Sequence, residues 1–149
     1  MMSQSLNQSS PIQGSAQGGE FKPIIYFDGI CGLCNGIVDF LLRYDRDHKF
    51  RFAPLQGRTA QKKLPSKLLR RPETFVYQSE RGLYFRSTAV LKVLWEIGGR
   101  WRSFALFFIV PTFLRDFVYN LIALYRYNLF GKKAQCRVPS QSEKDYFLE

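Results

Sequence analysis

The hydrophobic patterning predicts an α/β fold in which a β-α-β unit, a linking helix and a β-β-α unit are followed by a C-terminal helical extension. Three observations carry this. Short β-branched and aromatic runs alternate with segments of helical periodicity. Glycines and prolines mark the joins. The chain, at 149 residues with 46% hydrophobic and 16% aromatic content, can bury one core without cross-links.

Met1 to Gly19 carries no charge and is rich in Ser, Gln and Gly. It has too little apolar surface to offset the entropy of ordering, so it is expected to be a disordered tail ahead of one domain over residues 20–149. It also lacks the cationic start and apolar run of a secretory signal. Ile24-Ile25-Tyr26-Phe27, closed by Asp28-Gly29, reads as a buried strand ending in a turn. From Leu33 the apolar residues Ile37, Phe40, Leu41 and Tyr44 recur at helical spacing, with Asp39, Arg43 and Asp47 among the polar positions. Phe50 and Phe52 alternate with Lys49 and Arg51 until Pro54 stops the run, giving a second strand. A helical crossover makes those two strands parallel.

Arg58 to Leu69 is basic and interrupted by Pro65, which suits a short helix or two turns. Thr74 to Tyr77 and Leu83 to Phe85 read as antiparallel strands joined by a loop over Gln78 to Gly82. Ser87 is expected to cap a helix carrying Val90, Leu91, Val93, Leu94 and Ile97 and ending at Gly98-Gly99. Phe104 to Val110 and Leu114 to Tyr125 read as two helices broken near Pro111 and stopped by Gly131. Their apolar faces are expected to cover the sheet. The order is the thioredoxin-like arrangement with added helices.

Net charge is +10, and Arg43 to Arg71 holds ten Lys or Arg against Asp45 and Asp47. Such a run is usually a solvated face, and nucleic-acid binding is not expected. Ser103 to Leu114 is uncharged but well short of the roughly 20 residues a span needs. No transmembrane span is expected, while peripheral membrane contact through the basic segment and the aromatic C-terminal helices stays open.

Three cysteines are an odd number. In a reducing cytosol, the expected location, disulfides are usually transient and catalytic. Cys31-Gly32-Leu33-Cys34 falls where the first helix begins, so Cys31 meets unpaired amides and the positive end of the helix dipole, which favour a thiolate. Cys34 lies one turn further on the same side. Cys31 is therefore the candidate nucleophile, expected to be exposed, and Cys34 the candidate resolving thiol. Gly29, Gly32 and Gly36 keep the backbone around the sulfurs uncrowded.

Asp28 is the third candidate: it holds the turn by accepting backbone N–H bonds, the role Asp-Gly ordinarily plays, or it relays protons. Cys136, between Lys132-Lys133 and Arg137, fits either a third exchanging thiol or a buried apolar cysteine. His48 reads as a solvated cation at a helix end. No cofactor is expected. The competing reading of the same cysteines is a structural zinc site, which usually needs a second Cys or His pair; here Cys136 and His48 are what remains.

The run Asp28-Gly29-Ile30-Cys31-Gly32-Leu33-Cys34-Asn35 resembles the DCC family of thiol-disulfide oxidoreductases, named for one Asp and two Cys. The resemblance extends through Phe52-Ala53-Pro54-Leu55-Gln56, Arg86-Ser87-Thr88-Ala89, Leu114 to Tyr119, Arg126 to Gly131 and Cys136-Arg137-Val138-Pro139. It implies a thioredoxin-like fold and dithiol-disulfide exchange through Cys31 and Cys34 with a protein or small-molecule disulfide. Arg115, Asp116 and Arg126 also match, and an Arg-Asp pair joining helices explains them. Pro72, ahead of strand three, lies close to where thioredoxin carries its cis-proline.

Overall fold

The computed structural model describes residues 21–70, 75–132 and 137–149. The expected tail, Pro72 and the candidate thiol Cys136 lie outside the described residues. β1 (Ile24–Phe27) is buried on both faces, which is why it reads as an unbroken apolar run. It sits inside a four-stranded sheet of order β2-β1-β3-β4. β2 (Arg51–Pro54) runs parallel to β1, β3 (Val76–Ser79) antiparallel to it, and β4 (Gly82–Phe85) antiparallel to β3.

α1 (Gly32–Tyr44) is the crossover between the parallel strands and buries Cys34, Asn35, Val38 and Leu41. With α4 (Arg86–Ile97), which brings Ala89 and Val93, it covers the sheet face carrying Ile25, Phe27, Phe52 and Tyr77. The opposite face, with Ile24, Tyr26, Ala53 and Val76, packs on Ala60 of α2 (Arg58–Lys63), on Leu64 and on the flank of α3 (Ser66–Leu69). Pro65 separates those two short helices, as its ring and missing N–H require.

Four details differ from the sequence expectation. β2 runs through Pro54, because at a sheet edge a missing N–H leaves no ladder bond unmade. That edge is closed from outside, where the Leu148 N–H donates to the Phe52 carbonyl at 2.7 Å. β3 continues past Tyr77 and the hairpin loop shrinks to Glu80-Arg81, since the polar Gln78 is held in the sheet by a 2.7 Å bond from the Tyr26 hydroxyl. Ser87 does not cap α4; its hydroxyl donates to Asp116 Oδ1 at 2.5 Å, and the helix starts after Phe85 without a side-chain cap.

The fourth concerns the C-terminal helices. A 3-10 helical stretch (Gly99–Ile109) breaks at Pro111 and leads into α5 (Thr112–Phe130), which Gly131 stops at φ 79°. These segments do not cover the sheet with their apolar faces. α5 packs one edge on α1 and α4 and turns the rest outward, with Phe113 77% and Leu124 71% exposed.

Candidate active site

The turn from β1 into α1 is set by its hydrogen bonds. The Cys31 N–H donates to the Asp28 carbonyl at 3.2 Å, and the Ile30 N–H to Asp28 Oδ1 at 3.2 Å, so Asp28 does hold the turn. Cys31 occupies the N-cap of α1 in extended conformation, without a side-chain capping bond. The buried Asn35 amide clamps the turn from inside, donating to the Gly29 and Cys31 carbonyls at 3.0 and 2.8 Å. Both cysteines are free and buried, one helical turn apart.

Asp28 does more than hold a turn. Only 1% exposed, it pairs through Oδ2 with Arg126 Nη2 at 2.9 Å, and the Tyr127 hydroxyl donates to the same oxygen. Gln56 Nε2 donates to Oδ1 at 2.8 Å. Arg126, 3% exposed, places its other terminal nitrogen, Nη1, 3.7 Å from Cys34 Sγ. One guanidinium therefore spans the buried carboxylate and the second sulfur. Burial, followed by the bond to Asp28, raises the Tyr127 phenol to about 12, which keeps it a donor.

Burial is also the first cause at Cys34, reinforced by repulsion from the Cys31 sulfur. Together they push its thiol from 9.0 up to about 12, against the opposing pull of Arg126 and the Asp28 N–H. Cys34 is thus a thiol at neutral pH. The folded state holds this proton more tightly than the unfolded chain, so its contribution to stability is complete below pH 9 and is lost as pH rises toward 12. Tyr26 and Tyr127 act in the same direction but start from 10.0. Between about pH 9 and 10 the fall in the urea midpoint is expected to shrink in Cys34→Ser; an unchanged slope there would assign it to another group.

Cys31 is 0% exposed, contrary to the expectation of an open nucleophile. The strap Phe130–Lys132 runs against this position: the Gly32 N–H donates to the Gly131 carbonyl at 3.2 Å, and Cys31 pairs with Lys132 in an isolated bridge. Gly32 is required for this approach, since a Cβ there would lie 2.2 Å from the Phe130 carbonyl oxygen. Its lack of a side chain admits the strap rather than a substrate. Cys34, 6% exposed, instead borders a pocket of about 40 Å³ lined by Leu33, Ile37, Phe75, Val90 and Tyr119.

The remaining candidates lie elsewhere. His48 is exposed beyond the opposite end of α1 and stacks on Tyr146 at 4.5 Å between ring centroids. The expected Arg-Asp pair between helices is not what these residues form: Arg126 pairs with Asp28 in the turn before α1, Arg115 bonds the Val110 carbonyl and Thr112 Oγ1, and Asp116 takes the Ser87 hydroxyl. Among the described residues no three His, Cys, Asp or Glu side chains are grouped so as to hold a metal. Sequence reasoning missed the contacts of Gln56, Arg126 and Tyr127. One signal was present for Arg126, the single charge between Phe117 and Gly131.

A family model described as DCC1-like thiol-disulfide oxidoreductase matches residues 25–132. A Bacillus subtilis protein, "Uncharacterized protein YuxK", is 44% identical over 127 residues, covering 84% of this chain and 93% of that protein. The Arabidopsis thaliana "DCC family protein At1g52590, chloroplastic" is 38% identical over 122 residues, covering 78% of this chain and 70% of its own. No solved structure matches the chain. The family match takes in Asp28, both cysteines, Arg126 and the strap beside Cys31, and the chain belongs to the DCC1-like thiol-disulfide oxidoreductase family.

Proposed function

We propose that this protein exchanges a dithiol for a disulfide at Cys31 and Cys34, with Cys31 as entering nucleophile and a protein or small-molecule disulfide as substrate. The observation that supports it best is the pair of free cysteines at the start of α1, with the Arg126 guanidinium 3.7 Å from the second sulfur. The proposed location is the cytoplasm, where dithiols are kept available for such cycles.

The strap first lifts from Cys31. The Cys31 thiolate then attacks a substrate disulfide, forming a mixed disulfide and releasing one substrate thiolate, which takes a proton from solvent. Cys34 next attacks the Cys31 sulfur and displaces the second thiolate, which receives the Cys34 proton, with Asp28 as relay. The protein is oxidised by two electrons and the substrate reduced; the reverse runs through the same intermediate. Arg126 stabilises the charge that develops on Cys34 as its proton leaves. Asp28 fixes that guanidinium.

The test is a pair of serine variants challenged with an aromatic model disulfide and read by intact mass. Cys34→Ser is expected to accumulate a mixed disulfide through Cys31, and Cys31→Ser to accumulate none. Equal trapping by both, or reaction by neither, would overturn the assignment of roles.

A further inference from the structure

From Ser103 to Gly131 the chain presents an apolar surface with no fully exposed charge. Arg115 and Asp116 are half-buried and bonded within the fold, and Arg126 is buried at the sulfurs. Ile109 at 81%, Phe113 at 77% and Leu124 and Leu129 at 71% are the most exposed of this face. A water-soluble monomer rarely leaves such a surface uncovered. Its rim is cationic: Arg100 and Arg102 stand exposed at one end and Lys132 at the other. Trp101 stacks on Phe104, and Phe104 on Phe107, with ring centroids 5.8 and 6.0 Å apart, an aromatic border in which Trp101 supplies the amphipathic ring that suits a headgroup layer.

We infer that this bent C-terminal pair of helical segments docks the protein on an anionic lipid surface, with α5 lying in the plane of the interface. Charge selects this occupant over a second copy of the chain. Face-to-face pairing would bring together two chains of +10 net charge, with no exposed Asp or Glu between Gly99 and Lys132 to offset the rims. An anionic bilayer is attracted by the same rims.

Geometry selects lying over spanning. Among the described residues no single helix is long and apolar enough to cross a membrane; the two segments reach that length only together, and the chain bends by 114° between them. α5 is also tied to the domain by the Arg126–Asp28 pair and by the 3.0 Å bond from the Phe75 N–H to the Tyr119 hydroxyl. A short amphipathic element held this way buries its apolar side at the acyl boundary and its cations among headgroups. Ile122 belongs both to this face and to the pocket at Cys34, so docking sets that pocket at the lipid boundary.

The experiment is sedimentation of the full chain with vesicles of phosphatidylglycerol and phosphatidylcholine in equal parts, against phosphatidylcholine alone. Binding is expected to the anionic vesicles and to fall with added salt. Phe113→Glu/Leu124→Glu is expected to weaken it more than tenfold. Arg100→Gln/Arg102→Gln/Lys132→Gln is expected to weaken it about a hundredfold. Failure to bind anionic vesicles, or binding indifferent to both sets of changes, overturns the inference. So does a vesicle-free dimer that Phe113→Glu/Leu124→Glu converts to monomer, which would assign the face to a second copy.

Discussion

Arg126→Met is expected to cost about 3–5 kcal/mol of folding stability, because it strands a carboxylate in the interior without its cation. Asp28 would keep the donors Gln56, Tyr127 and the Ile30 N–H, but none of them carries charge. Asp28→Asn in the same chain should return part of the loss, since the charge left behind is then removed. Urea midpoints for the parent, the two single variants and the double variant give the coupling directly. A coupling below about 0.5 kcal/mol would mean that the pair is not the electrostatic link described.

The same substitution has a kinetic consequence that separates it from mere destabilisation. With the guanidinium gone from Cys34 Sγ, attack on the mixed disulfide is expected to slow about tenfold, while formation of that disulfide at Cys31 changes less. Arg126→Lys should recover little, because one ammonium cannot imitate two nitrogens directed separately at Asp28 Oδ2 and Cys34 Sγ. Stopped-flow measurement of the two steps distinguishes these outcomes. Equal slowing of both would point to general loosening.

What could be read from the sequence was what is local. Ile24–Phe27 announces a buried strand, and the spacing after Leu33 announces a helix whose first turn holds both cysteines. Asp28-Gly29 announces a turn, which Asp28 does make. What could not be read was the long-range pairing. Arg126 finds Asp28 at a separation of 98 residues, and no periodicity encodes which buried charge will meet which. Cys31 meets Lys132 for the same reason: a helix start looks open until the chain that returns to it is known. Ser87 shows the converse error, a residue with the right local pattern for a cap whose hydroxyl found a stronger distant acceptor in Asp116. In α5 the apolar period is real, but periodicity specifies a face and not what covers it.

Gly32→Ala isolates the strap. At an ordinary helical position this change is favourable by up to about 1 kcal/mol, as it should be at the solvent-exposed Gly36, where an added Cβ meets nothing within 4 Å. At Gly32 the new methyl would meet the Phe130 carbonyl oxygen at 2.2 Å and its carbon at 3.1 Å, and backbone cannot rotate aside as a side chain can. The expected cost is about 3 kcal/mol, relieved in part by displacement of Phe130–Lys132. Displacement has a second readout. If the strap is what shields Cys31, alkylation of Cys31 in a Cys34→Ser background should accelerate in Gly32→Ala and stay unchanged in Gly36→Ala. The rate gain measures the shift in the opening equilibrium, with each tenfold corresponding to about 1.4 kcal/mol. A Gly32→Ala protein that loses stability while Cys31 stays as slow as before would show that some other part of the chain closes over the sulfur, and that the strap packs there without governing access.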